Sequence, residues 1–106
     1  MDFGEMASRL GIDREDFTEL VELFITTTRS DMDKILGAMA GDNPADAAAA
    51  AHSIKGAAAN LGFEDMADLA KTMEFRGKDG SLEGFGDYMA DMEGHLTQVE
   101  NQLTGA

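Results

Sequence analysis

Apolar residues recur every three or four positions along this chain, from Phe3 to Leu103. An α-helix turns about 100° per residue, so that spacing gathers the apolar side chains on one face of a helix. Glycine, asparagine and proline interrupt the pattern and indicate where one helix ends and the next begins; Gly77, for example, is predicted to end the fourth. The predicted helices span about residues 2–10, 13–40, 44–61, 63–77 and 81–103, and the last could begin as late as Asp87 because Gly84 and Gly86 weaken its first turn.

These predicted helices indicate an all-α protein. Their connections are short, so successive helices must run back antiparallel. The 106 residues are enough for one domain with a modest core, and a composition with one proline and no tryptophan favours helices. We therefore expect a single domain over residues 1–106, built as an antiparallel four-helix bundle with a short additional N-terminal helix.

The predicted third helix carries a histidine on its exposed face. Its core-facing stripe consists of Ala47, Ala50, Ile54, Ala57, Ala58 and Leu61. His52 falls on the opposite side, and Lys55 and Gly56 share its face because they lie three and four positions later. Glycine inside a helix costs about 1 kcal/mol relative to alanine. The choice of Gly56 therefore indicates that space is needed next to His52.

The turn after this helix predicts a partner for His52. His52 lies eleven residues before Phe63 and Glu74 lies eleven after it, so both are roughly 16 Å from the turn at about 1.5 Å per residue. On antiparallel helices the two side chains should be level. Glu74 can then accept a hydrogen bond from Nδ1 of His52, leaving Nε2 as an exposed nucleophile. The alternative, that Glu74 is a solvated surface charge, stays open.

The order of these residues resembles the phosphorylatable helix of histidine-containing phosphotransfer (HPt) domains of bacterial phosphorelays. The resemblance rests on His52-x-x-Lys55-Gly56, Asn60-Leu61-Gly62, Leu69 and Glu74. It implies that His52 exchanges a phosphoryl group with aspartates of response-regulator receiver domains, or accepts it from a sensor histidine kinase. Lys55 would then stabilise the phosphoryl charge, Gly56 would leave space for the partner, and Glu74 would orient His52.

A receiver is expected to dock over the third and fourth helices. Small residues on the exposed side of the third helix would form a flat patch there: Ala48, Ala49, Ala59 and Asn60. Arg76 and Lys78, near one end of the hairpin, are further candidates for holding the phosphoryl group or the partner. Such contacts are transient, so we expect a small interface and a monomeric protein.

Composition narrows the other possibilities. The net charge of −13 disfavours nucleic acid and anionic membrane partners. The chain has no cysteine, no apolar run of about 20 residues and no basic leader, so we expect a cytoplasmic protein without a membrane span. His52 and His95 do not have the spacing of a metal pair, and His95 is expected at the core boundary. We expect no bound metal or cofactor, because Mg²⁺ would belong to the receiver.

Two other functions remain open. The chain could be a phosphate-free module that binds a receiver or kinase, or the phosphoacceptor fragment of a chemotaxis-type histidine kinase. It contains no ATP-binding motif, so we expect a phosphotransfer protein without turnover of its own. The start and end of the sequence favour a stand-alone protein over an excised domain. The sequence does not identify the pathway, the cognate partners or the direction of phosphate flow.

Overall fold

The computed structural model describes residues 2–105, and this part of the chain contains five α-helices and no strand. The helices are α1 (Phe3–Leu10), α2 (Arg14–Ala40), α3 (Pro44–Leu61), α4 (Glu64–Lys78) and α5 (Phe85–Thr104). The predicted all-α class is confirmed. Within the same residues, none of the helices has both the length and the apolar character that crossing a membrane requires.

Local signals set the ends of α3, the histidine helix. The side chain of Asn43 accepts a hydrogen bond from the backbone N–H of Asp46 (3.2 Å), and Pro44 takes the first helical position. At the other end Gly62 adopts a left-handed conformation with φ of +86°, which stops the helix and turns the chain towards α4. The predicted bounds of α3 are therefore confirmed.

The prediction that the last helix begins at Ser81 is wrong, because α5 begins at Phe85. The Ser81 hydroxyl accepts a hydrogen bond from the backbone N–H of Glu83 (3.1 Å) in a separate turn. Gly84 then adopts a φ of +81°, which a continuous right-handed helix cannot contain. The start of α5 is therefore set by the backbone of Gly84.

The prediction that Gly77 ends α4 is also wrong, because the helix continues to Lys78. Gly77 is buried where α4 passes closest to the start of α3. A Cβ atom added to Gly77 would lie 2.7 Å from the carbonyl oxygen of Pro44 and 2.8 Å from the Cβ of Ala48. Glycine is needed at this position for close helix packing.

The core lies between the helices, and its contacts determine how they are arranged. α3 packs against both α2 and α4, while α5 contacts α2 and α4. The short α1 contacts α2, with the rings of Phe3 and Phe17 packed edge to face at 5.4 Å between centroids. On the surface, Arg29 of α2 pairs with Glu93 and Glu100 of α5, and these hydrogen bonds raise the pKa of Arg29. The contacts of α3 with α4 form a helical hairpin, and the candidate site residues lie on this hairpin.

Candidate functional site

His52 and Glu74 meet across the α3–α4 hairpin. Nδ1 of His52 lies 2.7 Å from Oε2 of Glu74, so the expectation that these two side chains are level is confirmed. The His52 side chain is 66 % exposed, whereas that of Glu74 is only 6 % exposed. The burial of Glu74 excludes the alternative that it is a freely solvated surface charge. The pair joins an accessible imidazole to a carboxylate held within the protein.

The protonation of Glu74 determines which nitrogen of His52 carries hydrogen. An ionised carboxylate can only accept hydrogen bonds, so Nδ1–H of His52 must donate to Oε2 of Glu74. In a neutral imidazole the lone pair then lies on Nε2. The arrangement therefore provides a nitrogen nucleophile in a side chain that is mostly exposed to solvent.

Two lysines also bind Glu74, and the sequence analysis missed both contacts. Nζ of Lys55 lies 2.5 Å from Oε1, and Nζ of Lys78 lies 3.2 Å from Oε2. Lys78 is four positions after Glu74 on the same helix, a spacing that could have indicated this pair. The contact of Lys55 with Glu74 crosses the hairpin. Counting residues from the turn, which paired His52 with Glu74, could also have predicted this contact.

These donors keep Glu74 ionised. Hydrogen bonds from Lys55 above all, and then from Lys78 and His52, lower the pKa of Glu74 to about 2, although burial acts in the opposite direction. Glu74 thus remains a carboxylate at any pH near neutrality. One buried acceptor consequently positions the histidine and two lysines.

Gly56 faces open space next to this cluster. A Cβ atom added there would meet no atom within 4 Å, apart from the helix's own backbone. The packing of the described residues therefore does not require glycine at this position, in contrast to Gly77. The space beside His52 remains free for a group from outside the chain.

The predicted docking residues divide into two groups. Ala49, Ala59 and Asn60 are exposed, as expected. The expectation that Ala48 is exposed is wrong, because it is only 3 % exposed and lies under Gly77, where α3 and α4 approach most closely. Ala48 supports the floor of a shallow groove that contains His52 and Glu74.

Arg76 and Lys78 also have different positions. Lys78 joins the cluster through Glu74. Arg76 turns towards α5, where its guanidinium carbon lies 5.8 Å from the centre of the Tyr88 ring. The structure therefore brings His52, Lys55, Glu74 and Lys78 together but not Arg76, because residues two apart on a helix point in very different directions.

Phe75 is an exposed apolar residue that the sequence analysis missed. It follows Glu74 on α4 and is 73 % exposed, the largest value among the exposed large apolar side chains of the described residues. The buried apolar residues of α4 are Met66, Ala70 and Met73. Phe75 lies outside this stripe, and its position in the sequence could therefore have predicted that it is exposed.

Residues 2–105 contain no group of three or more histidine, cysteine, aspartate or glutamate side chains that could hold a metal ion. His95 is half-buried and lines a groove with Met6 and Phe63, and this groove contains none of the residues of the His52 cluster. The expectation that His95 lies at the core boundary is confirmed. His95 is therefore not part of the candidate site on the α3–α4 hairpin.

Comparison with known proteins gives one match. A family model described as Hpt domain matches residues 19–104, which include most of α2 and all of α3 and α4. No match was found among curated proteins or among solved structures. The matched range contains every residue of the His52 cluster.

Proposed function

Because the chain belongs to the Hpt domain family, we propose that it is a phosphorelay intermediate with His52 as its phosphoacceptor. Membership of this family implies phosphotransfer in two-component or phosphorelay signalling. The observation that supports His52 most strongly is its hydrogen bond to buried Glu74, which leaves Nε2 free in an exposed side chain. The proposed partners are response-regulator receiver domains and a sensor histidine kinase.

The proposed reaction is a direct transfer between aspartate and histidine. The lone pair of Nε2 attacks the phosphorus of an aspartyl phosphate on the receiver, the N–P bond forms as the P–O bond to the carboxyl group breaks, and the carboxylate leaves. The His52 ring keeps its hydrogen on Nδ1 and becomes positively charged. The Glu74 carboxylate, 2.7 Å from Nδ1, stabilises that charge as the aspartate of a catalytic triad stabilises its histidine.

Lys55 supplies a positive charge for the phosphoryl oxygens. Its side chain is about one-third exposed and its ammonium is already held beside His52 by Glu74. We infer that the ammonium moves from the Glu74 carboxylate towards the phosphoryl group once the N–P bond forms. Lys78 remains with Glu74 and limits the cost of that movement.

The proposed docking surface surrounds His52 on α3 and α4. It includes the exposed Ala49, Ala59 and Asn60, the open position at Gly56 and the rim residue Lys78. Small side chains allow the receiver's loops to approach the imidazole in line with the phosphorus. The receiver would contribute Mg²⁺, and the chain would have no turnover of its own.

The architecture proposed for the chain is a single-domain, antiparallel four-helix bundle preceded by α1. The contacts of α3 with α2 and α4, and of α5 with the same two helices, support a closed ring of four helices. We propose that the protein acts as a monomer in the cytoplasm, where its receiver partners would be available.

The first test is phosphate incorporation from a phosphorylated receiver domain in the presence of Mg²⁺. Native protein should acquire acid-labile, base-stable label, His52→Gln should acquire none, and Lys55→Ala should be labelled more slowly. His95→Gln is the matched control, because it removes the other histidine and should be labelled like the native chain. Tight receiver binding without label would instead indicate a phosphate-free regulator and contradict the proposal.

A second test examines the space at Gly56. Gly56→Ala should slow labelling about tenfold by placing a methyl group where the partner approaches, a cost of about 1.4 kcal/mol in the transition state. Gly94→Ala is its control, because Gly94 also lies within a helix and also faces open space. Equal labelling of the two variants would mean that Gly56 does not provide access.

A further inference from the structure

A second carboxylate, that of Asp31 on α2, is buried without a hydrogen-bond donor. Asp31 is 4 % exposed, and its Oδ2 has no partner among the described residues. Its Oδ1 lies 3.7 Å from Nζ of Lys34, which is too long for a hydrogen bond. The hydroxyl of Thr28, one turn earlier, is buried and also lacks a partner within residues 2–105.

A buried carboxylate without donors is unfavourable. Removing an ionised group from water is costly unless hydrogen bonds or an opposite charge replace the lost hydration. Lys34 does so poorly, because its side chain is 68 % exposed and its charge is screened by solvent. Among the described residues, Asp31 therefore has no close cation or hydrogen-bond donor. A molecule from outside the chain can supply one.

Asp31 lines a groove between α2 and the first half of α3. Five small residues of the two helices leave this groove open: Gly37, Ala38, Ala49, Ala50 and Ser53. A Cβ atom added to Gly37 would meet nothing within 4 Å. The groove can therefore accept a long, narrow chain with Asp31 at one of its walls.

The groove continues into the surface around His52. Ser53 follows His52 on α3, and Ala49 lines both this groove and the one that contains His52 and Glu74. A protein that docks on His52 and extends across α3 past Ala49 would also cover the groove of Asp31. The charged residues of the groove are Asp31, Asp46 and Lys34, so it carries an excess of one negative charge.

We propose that this groove binds an arginine or lysine side chain of the protein that docks on His52. The aliphatic stem of the side chain lies along the small residues, and its cationic head displaces Lys34 and donates to Asp31. This inference rests on the proposed function for the identity of the partner. Asp31 is then a specificity residue, because a partner without a cation at this position leaves the carboxylate unpaired.

The direct test uses N-acetyl-arginine methylamide as a probe, with uncharged N-acetyl-norleucine methylamide as its control. Titration of ¹⁵N-labelled protein should produce saturable amide shifts at Ala49 and Ser53 with the arginine probe alone. The shifts should disappear in Asp31→Asn and persist in Asp33→Asn, which makes the same charge change at an exposed position of α2. Absence of shifts, or their persistence in Asp31→Asn, would overturn the site.

Receiver kinetics then test the docking role. In single-turnover labelling of His52, Asp31→Asn should raise the receiver concentration that gives half the maximal labelling rate about tenfold with little change in that maximal rate, whereas Asp33→Asn should change this concentration less than about twofold. Blocking the groove with Gly37→Leu should have the effect of Asp31→Asn, while Gly37→Ala should not. An equal half-saturating receiver concentration for Asp31→Asn and native protein would overturn the docking role. If no receiver labels His52 but the probe still binds, the proposed function fails and the cation site stands.

Discussion

The two flanks of α3 each face a buried carboxylate from a neighbouring helix. On the α4 flank, Glu74 accepts hydrogen bonds from His52, Lys55 and Lys78. On the α2 flank, Asp31 is as deeply buried but has, within residues 2–105, only the distant ammonium of Lys34. The packing differs in the same way, because Gly77 on α4 touches α3 closely and Gly37 on α2 faces an open groove.

This difference shows that a buried carboxylate can have either of two roles. Glu74 is satisfied by donors of its own chain, so it can hold a reactive histidine in place before any partner arrives. Asp31 is not satisfied in that way, and its burial is therefore more informative about what the molecule binds. The flank with complete contacts supports the proposed chemistry, and the flank with incomplete contacts supports the proposed recognition.

Exchanging the two carboxylates for amides should have the largest effect on this comparison. Glu74→Gln should lower the free energy of unfolding by about 2 kcal/mol, because two lysines and a histidine lose their charged acceptor and all three are partly or mostly exposed to solvent. Asp31→Asn should raise it by about 1 kcal/mol, because it removes an unpaired buried charge. Urea unfolding at pH 7 measures both, and destabilisation by both variants to the same extent would contradict the distinction.

The glycines of the two flanks should respond with opposite signs. Gly77→Ala should lower the free energy of unfolding by about 2 kcal/mol, since the added methyl group would press against the backbone of Pro44 and force α3 and α4 apart. Gly37→Ala should raise it by up to about 1 kcal/mol, because alanine favours helix and nothing obstructs it. Thermal unfolding of the two variants gives the comparison, and a stabilised Gly77→Ala would mean that the close contact is absent.

Acid should weaken the α4 flank. The pKa of Glu74 is lowered from 4.5 to about 2, so its contribution is fully present above about pH 4.5 and is lost as pH falls through about 2. Such a shift corresponds to about 3 kcal/mol, and exposure of His52 and Lys78 to solvent reduces it to about 2 kcal/mol. The stability gap between native protein and Glu74→Gln, measured by urea unfolding, should narrow between pH 5 and about pH 2. A gap independent of pH would contradict this role of the ion pairs.

Replacing Lys55 or Lys34 should give the smallest difference in the free energy of unfolding between the two flanks. Lys55→Ala should lower the free energy of unfolding by about 1 kcal/mol, because Lys55 is partly buried and makes a short contact with Glu74. Lys34→Ala should change it by less than about 0.5 kcal/mol, because the Lys34 contact is long and exposed. Chemical denaturation of both variants provides the measurement. An equal loss in the two would indicate that Lys34 stabilises Asp31 as effectively as Lys55 stabilises Glu74.

Much of the fold could be predicted because its signals are local. The capped start of α3 at Asn43 and its end at Gly62 depend on residues adjacent in sequence, and the structure agrees with both bounds. The errors at Gly77 and Ser81 have a different origin. Gly77 reads as a helix end until its contact with Pro44 is known, and the interruption before α5 depends on the backbone conformation that Gly84 adopts.

The candidate site was likewise predicted in part. The positions of His52 and Glu74 follow from counting residues across a short turn, because helix rise is regular. Counting residues could not predict that Ala48 is buried or that Arg76 turns towards Tyr88. Both depend on how closely one helix approaches another, and that distance is set by many side chains at once.

The amino-acid sequence by itself determined the all-α class, the ends of α3 and the level pairing of His52 with Glu74, because helix periodicity, capping and rise are properties of neighbouring residues. Only the tertiary structure decided that Glu74 is buried and that Asp31, which is buried to the same extent, has no comparable donor among the described residues. Burial is a property of packed elements, and whether a buried charge is satisfied depends on which side chains the neighbouring helices bring within hydrogen-bond distance.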